Sequence, residues 1–405
     1  MTQPAIVVAG LSARMLAESA QRAGWRVIAL DLFGDSDTRR AAQRWHPVGH
    51  AATLSLDPAR TRAALERASV EPGVMGWIAG SGFEACPALL RAPIAGLPLI
   101  GNAAPAYDAV RTPARFFAML SEHGIAFPET RMVPPPDASG WLRKEASGTG
   151  GQHIRLADSV DGLGHDVRDG VYYQRFCEGR PMSALFLADG RRARVLGINE
   201  QLVARHGEHP FAWRGAIGPV QVGTRLADAV RHAVQTIVAA SGLVGLNSLD
   251  FLSDGERCIV LEVNARPSAT MALYDCDPHT QPTPHTPLLA RHVRACQGEA
   301  LTAIETEEEQ GATTRSPPVR GQLVVFAQDA HIVAPAFEDQ ARRLGWCHDI
   351  PVAGSAIAAG TPLCTVSATC APGTSADAVR AALAARAAAI EPLLKVSHEC
   401  SFACR

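Results

Sequence analysis

The segment Asn247–Thr270, NSLDFLSDGERCIVLEVNARPSAT, constrains this chain more than any other. Two apolar runs flank Ser253-Asp254-Gly255-Glu256, a β-hairpin pattern. The strand period puts Cys258, Val260, Glu262 and Asn264 on one face, and Ile259, Leu261 and Val263 on the other. A two-residue Asp-Gly loop would set Asp250 opposite Ile259, on the wrong side. A three-residue loop, Ser253 to Gly255 with Gly255 left-handed, sets it opposite Cys258, and this is the reading adopted. Asp250, Glu262 and Asn264 then offer hard oxygen ligands on one surface, a set suited to Mg²⁺ shared with a polyphosphate.

At 405 residues the chain exceeds one ordinary core, so two or three domains are expected. A hydrophobic share of 47% and a formal net charge of −2 fit a globular enzyme and provide no basic excess for nucleic acid. The opening MTQPAIVVAGLSARML has no charged leader region, and no apolar run is long enough to span a bilayer. The ten cysteines are scattered singly from Cys86 onward, as reduced thiols rather than a disulfide framework. The expected compartment is the cytoplasm, with no membrane partner.

Residues 1–110 read as a first, Rossmann-like unit. The run AIVVAG, a helix from Ser12 to Ala23, and WRVIALD ending at Asp31 form a parallel strand-helix-strand pattern. Gly10 to Arg14 could hold an anion at the helix start, although it is not the G-x-G-x-x-G of a dinucleotide site. Asp31 is either a polar cap on the strand end or a ligand contact. GVMGWIAGSGFE is a buried strand opening into Gly80-Ser81-Gly82, which makes Ser81, Gly82 and Glu84 candidate substrate residues at a strand's carboxyl end, or else a tight turn with a helix cap.

Residues 111–300 read as a second unit. VRTPARFFAMLSEHGIAFPET is an amphipathic helix ended by Gly124, and Pro134-Pro135-Pro136 marks an exposed connector. WLRKEASGTGGQHIRL places Lys144 on a short strand ahead of Gly148, Gly150 and Gly151, a loop whose amides could converge on phosphate. YYQRFCEGRPMSALFLADG provides a strand, a hinge at Gln174 to Cys177 that could meet a flat heterocycle, and another strand. A helix from Ala227 to Ser241 leads into the hairpin. Residues 301–318 form an acidic, proline-ended linker, and 319–405 a small β-rich lobe closed by a helix from Ala376 to Leu394. This lobe carries no evident nucleophile and is expected to close over the others. The tail HECSFAC, and Cys276, His279 and His285, lack the ligand count and spacing of a metal site.

In this order, Lys144, the glycine loop, the hinge and the Asp250/Glu262/Asn264 set resemble the ATP-grasp superfamily. The resemblance implies an α/β fold, an α+β clamp around ATP, with a carboxyl-terminal lobe like that of biotin carboxylase. The phrases FGDSDT, GSGFE, CEGRPMSALF, EVNARPSAT and DIPVAGSAI further resemble the group of predicted ATP-grasp carboxylate ligases found beside tetrahydromethanopterin and methanofuran one-carbon genes. It implies that ATP phosphorylates a carboxylate and that an amine attacks the acyl phosphate, with Mg²⁺, or Mn²⁺ in its place, as the metal. It implies further that Lys144 touches the phosphates, and that Ser147, Gly148, Thr149, Gly150 and Gly151 form the lid. Gln174 and Cys177 would face adenine, while Asp250, Glu262 and Asn264 hold metal. Arg266 would act on the transferring phosphate or the tetrahedral intermediate, unless it is spent in an ordinary salt bridge. The implied partners are a small-molecule acid and an amine, and a homodimer is compatible.

Two positions depart from the family pattern. A second ATP lysine is replaced by Arg111-Thr112-Pro113-Ala114-Arg115, where Arg111 or Arg115 could substitute, and the ribose-binding Glu by Arg180-Pro181-Met182. The residues also fit a carboxylase working through carboxyphosphate, or a nucleotide-binding sensor or scaffold without turnover.

Overall fold

In the amino-terminal unit, aliphatic runs joined by short helices pair in parallel. Ala5–Ala9 lies between Arg26–Asp31 and Val74–Ala79, with Arg44–Pro47 on the outer side of Arg26–Asp31. Both faces of this sheet are covered, which is why its strands read as continuous apolar runs. Ile6 and Val8 pack on Leu16 and Ala20, whereas Val7 and Ala9 share a cluster with Ala64 and Leu65. Asp31, 0% exposed, accepts N–H bonds from Ala13 (2.9 Å), Gly34 (2.9 Å) and the Trp45 indole (2.7 Å). It is therefore the strand-end cap. The anion position considered at the start of helix Arg14–Arg22 is filled by the protein's own carboxylate.

The computed structural model describes residues 3–159, 170–275, 286–304 and 317–402. Its middle is two antiparallel sheets. The small one orders Thr130–Arg131, Val171–Arg175, Trp141–Glu145 and Arg155–Leu156; the large one has eight strands and begins Cys258–Asn264, Val244–Ser253, Arg180–Asp189, Ala193–His206, His209–Gly218. Along Arg180–Asp189 the strand period divides two environments. Met182, Ala184 and Phe186 bury against Val230, Val234 and Ile237 of helix Thr224–Ser241, while Leu185 and Leu187 bury toward the amino-terminal unit. Each of the larger of these side chains, Met, Phe, Leu, Val or Ile, contributes roughly 1.5–3 kcal/mol. Asn102 ties the units together, donating to Asn247 Oδ1 (2.8 Å) and the Ala265 carbonyl (3.0 Å) and accepting from Val244 N–H (2.7 Å).

Three local expectations are corrected. The stretch read as one helix is two, Ala104–Arg111 and Pro113–Glu122, because Pro113 starts a helix readily but cannot continue one. The hairpin turn is also longer than the three-residue loop: Ser253 pairs with Cys258, leaving Asp254 to Arg257 as the loop, although Gly255 does take a positive φ of 107°. On that register alone Asp250 would oppose Leu261, on the wrong face. A β-bulge intervenes, since Phe251 pairs with Val260 and Asp250 with Glu262, so Leu261 is the extra residue. Consequently Cys258 and Val260 do not share the face of Glu262 and Asn264; they bury with Val263 against the helices.

The third correction concerns the carboxyl-terminal strands, which do not stand apart as a lid. Val319–Phe326 pairs with His209–Gly218, Pro362–Cys370 pairs next, and Cys347–His348 ends the eight-stranded sheet. Helix Ala376–Phe402 packs on them through Val379, Leu383 and Ile390. Cys276, His279, His285, most of the linker and Cys404 lie outside the described residues.

Candidate active site

The two antiparallel sheets face each other across a cavity of about 880 Å³, which residues of the amino- and carboxyl-terminal units also line. Lys144 enters from the small sheet. It is 5% exposed, and its Nζ donates to Gln174 Oε1 on the paired strand (2.7 Å). Burial lowers the Lys144 pKa, while Glu262 and Asp250 oppose that shift. The Gln174 amide also donates to Thr130 Oγ1 (3.1 Å), so both ends of this side chain are used in holding the lysine. Cys177 lines the cavity half-buried.

On the opposite wall the bulge sets Glu262 beside Asp250. Asn264 Nδ2 donates to Asp250 Oδ2 (3.1 Å), so the three oxygen-bearing side chains do converge. Burial and the Glu262 carboxylate push the Asp250 carboxyl up to about 8. For Glu262 burial acts the same way, but Arg111, His153 and Lys144 outweigh it and hold its pKa below the usual range. Two carboxylates and an amide at one place fit a hard divalent cation whose remaining ligands come from polyphosphate and water, and such a cation would relieve the crowding of negative charge. Among the described residues no group of three His, Cys, Asp or Glu side chains is placed to hold a metal ion, so the protein's share of such a site is this mixed set.

Of Arg111 and Arg115, the two arginines considered as substitutes for a second lysine, Arg111 is the one bonded to the metal-face side chains. Its Nη1 donates to Glu262 Oε2 (3.2 Å) and its Nη2 to the Ala146 carbonyl (2.6 Å), joining the metal face to the glycine loop. Arg115 is exposed on the next helix. Within the loop, Thr149, Gly150 and Gly151 line the cavity, and Ser147 is exposed. A Cβ on Gly148 would overlap the His153 ring, and one on Gly151 the Phe211 carbonyl.

Arg266 lines the cavity and is held from two sides. Its Nε donates to Glu84 Oε1 (2.6 Å) and its Nη2 to Asn264 Oδ1 (3.2 Å). The other Glu84 oxygen accepts Gly82 N–H (2.8 Å). Burial disfavours the Glu84 carboxylate, yet Arg266 and Arg111 prevail and lower its pKa. Glu84 is thus committed to aiming Arg266, and of the glycine turn only Gly80 and Ser81 reach the main cavity. The salt bridge considered for Arg266 exists, and it is what points the guanidinium.

His153 was not singled out by sequence. It lines the cavity, burial lowers its pKa, and its Nδ1 has no partner among the described residues. Only its place one turn beyond the glycines could have drawn attention. Also missed was a cluster of Arg14, Asp35, Asp37 and Asp349, although its three aspartates lie within two of the phrases that carried the resemblance.

A model of the ATP-grasp domain matches residues 114–270. By structure, the biotin carboxylase of Campylobacter jejuni is similar at a TM-score of 0.63 and 13% identity, covering 90% of this chain and 87% of that one. This chain has the ATP-grasp fold. The L-amino acid ligase of Bacillus licheniformis shares that fold at a TM-score of 0.63 and 15% identity, over 94% of this chain and 96% of the ligase. By sequence, the carbamoyl phosphate synthase large chain of Mycobacterium sp. (strain JLS) is 25% identical over 322 residues, 71% of this chain. The chain spans 28% of that relative's length. Covering 90% of this chain, the likeness to biotin carboxylase reaches well beyond the residues that the ATP-grasp domain model matches.

Proposed function

We propose that this ATP-grasp protein is an ATP- and Mg²⁺-dependent ligase that activates a small-molecule carboxylate as its acyl phosphate and joins it to an amine. The observation that carries this reading is the convergence of Lys144, Arg266 and the Asp250/Glu262/Asn264 face on one cavity. Asp250, Glu262 and Asn264 would hold the metal, which when bound offsets charge on the nucleotide's phosphates. Lys144, fixed by Gln174, and Arg111, fixed by Glu262, meet the same phosphates from the other side. The Gly150 and Gly151 segment covers them and excludes water. Arg266, aimed by Glu84, faces the oxygens on which negative charge develops, where a preset guanidinium needs no reorganisation. At the hinge, Cys177 and Glu178 leave backbone N–H groups without partners among the described residues, which supports an edge for adenine. A cytoplasmic enzyme of cofactor biosynthesis, in tetrahydromethanopterin or methanofuran one-carbon metabolism, is the pathway we infer from the phrase-level resemblance.

The test is a screen of acids and amines for stimulated ADP release, with glutamate among the amines and with pterin and furan precursors. Glu262→Ala is expected to reduce acid-dependent ADP release by at least about 100-fold. Full turnover in that variant would overturn the proposal. The fold shared with biotin carboxylase favours one second reading, formation of carboxyphosphate, which bicarbonate-dependent ADP release without any amine would select. ATP binding with no acid stimulation would instead select a nucleotide-binding scaffold.

A further inference from the structure

Two phrases of the sequence, FGDSDT (33–38) and DIPVAGSAI (349–357), play no part in the chemistry above, yet the fold brings them together. Asp349 N–H donates to Asp37 Oδ2 (2.7 Å), and Ser36 N–H to the Ile350 carbonyl (2.8 Å). Arg14 Nε donates to Asp349 Oδ1 (2.8 Å) and lies 3.6 Å from Asp37 Oδ2. Asp37 and Asp349 are thereby satisfied.

Asp35 is not. It is 6% exposed and stands at the cap position of helix Ser36–Ala41 without capping it. Its carboxylate has no hydrogen bond or ion pair among the described residues, and it forms part of the cavity wall. An enclosed carboxyl group on the cavity wall, with no protein partner for its oxygens, is free to bind what occupies the cavity. The surroundings state the ligand's sign. Asp35, Asp37 and Asp349 are set against the Arg14 guanidinium, which also pairs with Glu18, so negative charge is in excess here. The part of the cavity assigned above to phosphate is the opposite, with Lys144 and Arg266 on its wall. Beside Asp35 the cavity wall carries Ser12, Arg14 and Asp349, and it also presents the apolar side chains Leu11, Met15, Phe33, Pro351 and Ile357.

We propose that Asp35 anchors a cation subsite which takes a protonated amine borne on an apolar body, part of a substrate of the reaction proposed above and dependent on that reading for its role. A nitrogen held as an ammonium cannot attack, so this group is a recognition handle distinct from the reacting nitrogen. Burial, with Asp349, Asp31 and Asp37 acting alike and Arg14 opposing, raises the Asp35 pKa well above the usual range. An arriving cation therefore displaces a proton, and binding strengthens as pH rises until the amine itself deprotonates.

The experiment is calorimetry on the full chain saturated with a non-hydrolysable ATP analogue. Hexylamine and benzylamine are the probes, with 1-hexanol, benzyl alcohol and hexanoate as neutral and anionic counterparts. The wild type should bind the amines in preference to the alcohols and hexanoate, more tightly at higher pH. The near-isosteric Asp35→Asn should lose roughly tenfold to a hundredfold of that affinity while keeping its affinity for the ATP analogue. Equal amine affinity in Asp35→Asn, tighter binding of hexanoate, or no amine binding to the wild type would overturn the subsite. The wild-type contrast between amine and alcohol, with its pH dependence, decides the matter even if the variant does not fold. Acid-stimulated ADP release is read separately. Asp35-dependent amine binding without it removes the ligase and leaves the subsite; ADP release unaltered by Asp35→Asn, with equal amine binding, does the reverse.

Discussion

His292 on helix Leu288–Cys296 is fully enclosed, and its two nitrogens serve different elements. Leu246 N–H donates to Nδ1 (2.9 Å), so Nε2 carries the proton and donates to the Ile100 carbonyl (3.1 Å). That tautomer is neutral, and burial pushes the pKa down to about 4. The unfolded chain binds a proton near pH 6.5 that the folded chain refuses, so stability is complete above that pH and falls as pH drops toward 4. Between pH 6.5 and 5 the loss should be about 2 kcal/mol, read from urea midpoints, and His292→Asn should flatten that slope. None of this was legible in the sequence, because a lone histidine does not announce which backbone it will meet. Asp250, Glu262 and Asn264 were legible, since a two-residue period fixes facing wherever strands are regular. Asp250 reached its face by a bulge rather than by the expected turn, because two errors of one residue cancelled.

At the scale of elements, the glycine loop illustrates how spacing and conformation differ in what they reveal. Sequence marks Gly148, Gly150 and Gly151 alike, but only contact distinguishes them. Gly151 has a φ of 73° and sits against the Phe211 carbonyl, whereas Gly150, at 63°, has open space where a Cβ would be. Trp213 N–H donates to the Gly150 carbonyl (3.0 Å) and pins the loop on strand His209–Gly218. Gly151→Ala cannot keep that contact, so the loop must lift. Nucleotide affinity should fall by at least about tenfold, as the covering segment no longer closes. Gly150→Ala meets only the cost of left-handed backbone, about 1–2 kcal/mol, and should bind the ATP analogue within about threefold of wild type. Titration of both variants with the analogue, alongside their urea midpoints, separates closure from strain.

At the scale of the whole molecule, an acidic linker with its prolines sets an expected boundary in the sequence, but it does not specify which sheet edge the next strand will find. Val319–Phe326 takes the open edge of His209–Gly218, so the carboxyl-terminal residues Gln322, Val324 and Phe326 line the same cavity as Lys144. The return contact to the amino-terminal unit runs through Arg14, a buried guanidinium that faces Asp37, Asp349 and Glu18. Removing one side of such a network leaves carboxylates buried without compensation, and that penalty exceeds the worth of any single pair. Arg14→Met is expected to cost roughly 3–5 kcal/mol in urea unfolding near pH 7. Arg14→Lys keeps the charge but cannot reach several oxygens in one plane, so it should recover only part of the loss. Lowering the pH neutralises carboxylates and should narrow the gap between Arg14→Met and wild type. An unchanged midpoint in Arg14→Met would mean that the remaining bonds of this contact, from Asp349 N–H to Asp37 and from Ser36 N–H to the Ile350 carbonyl, suffice to hold the amino- and carboxyl-terminal units together.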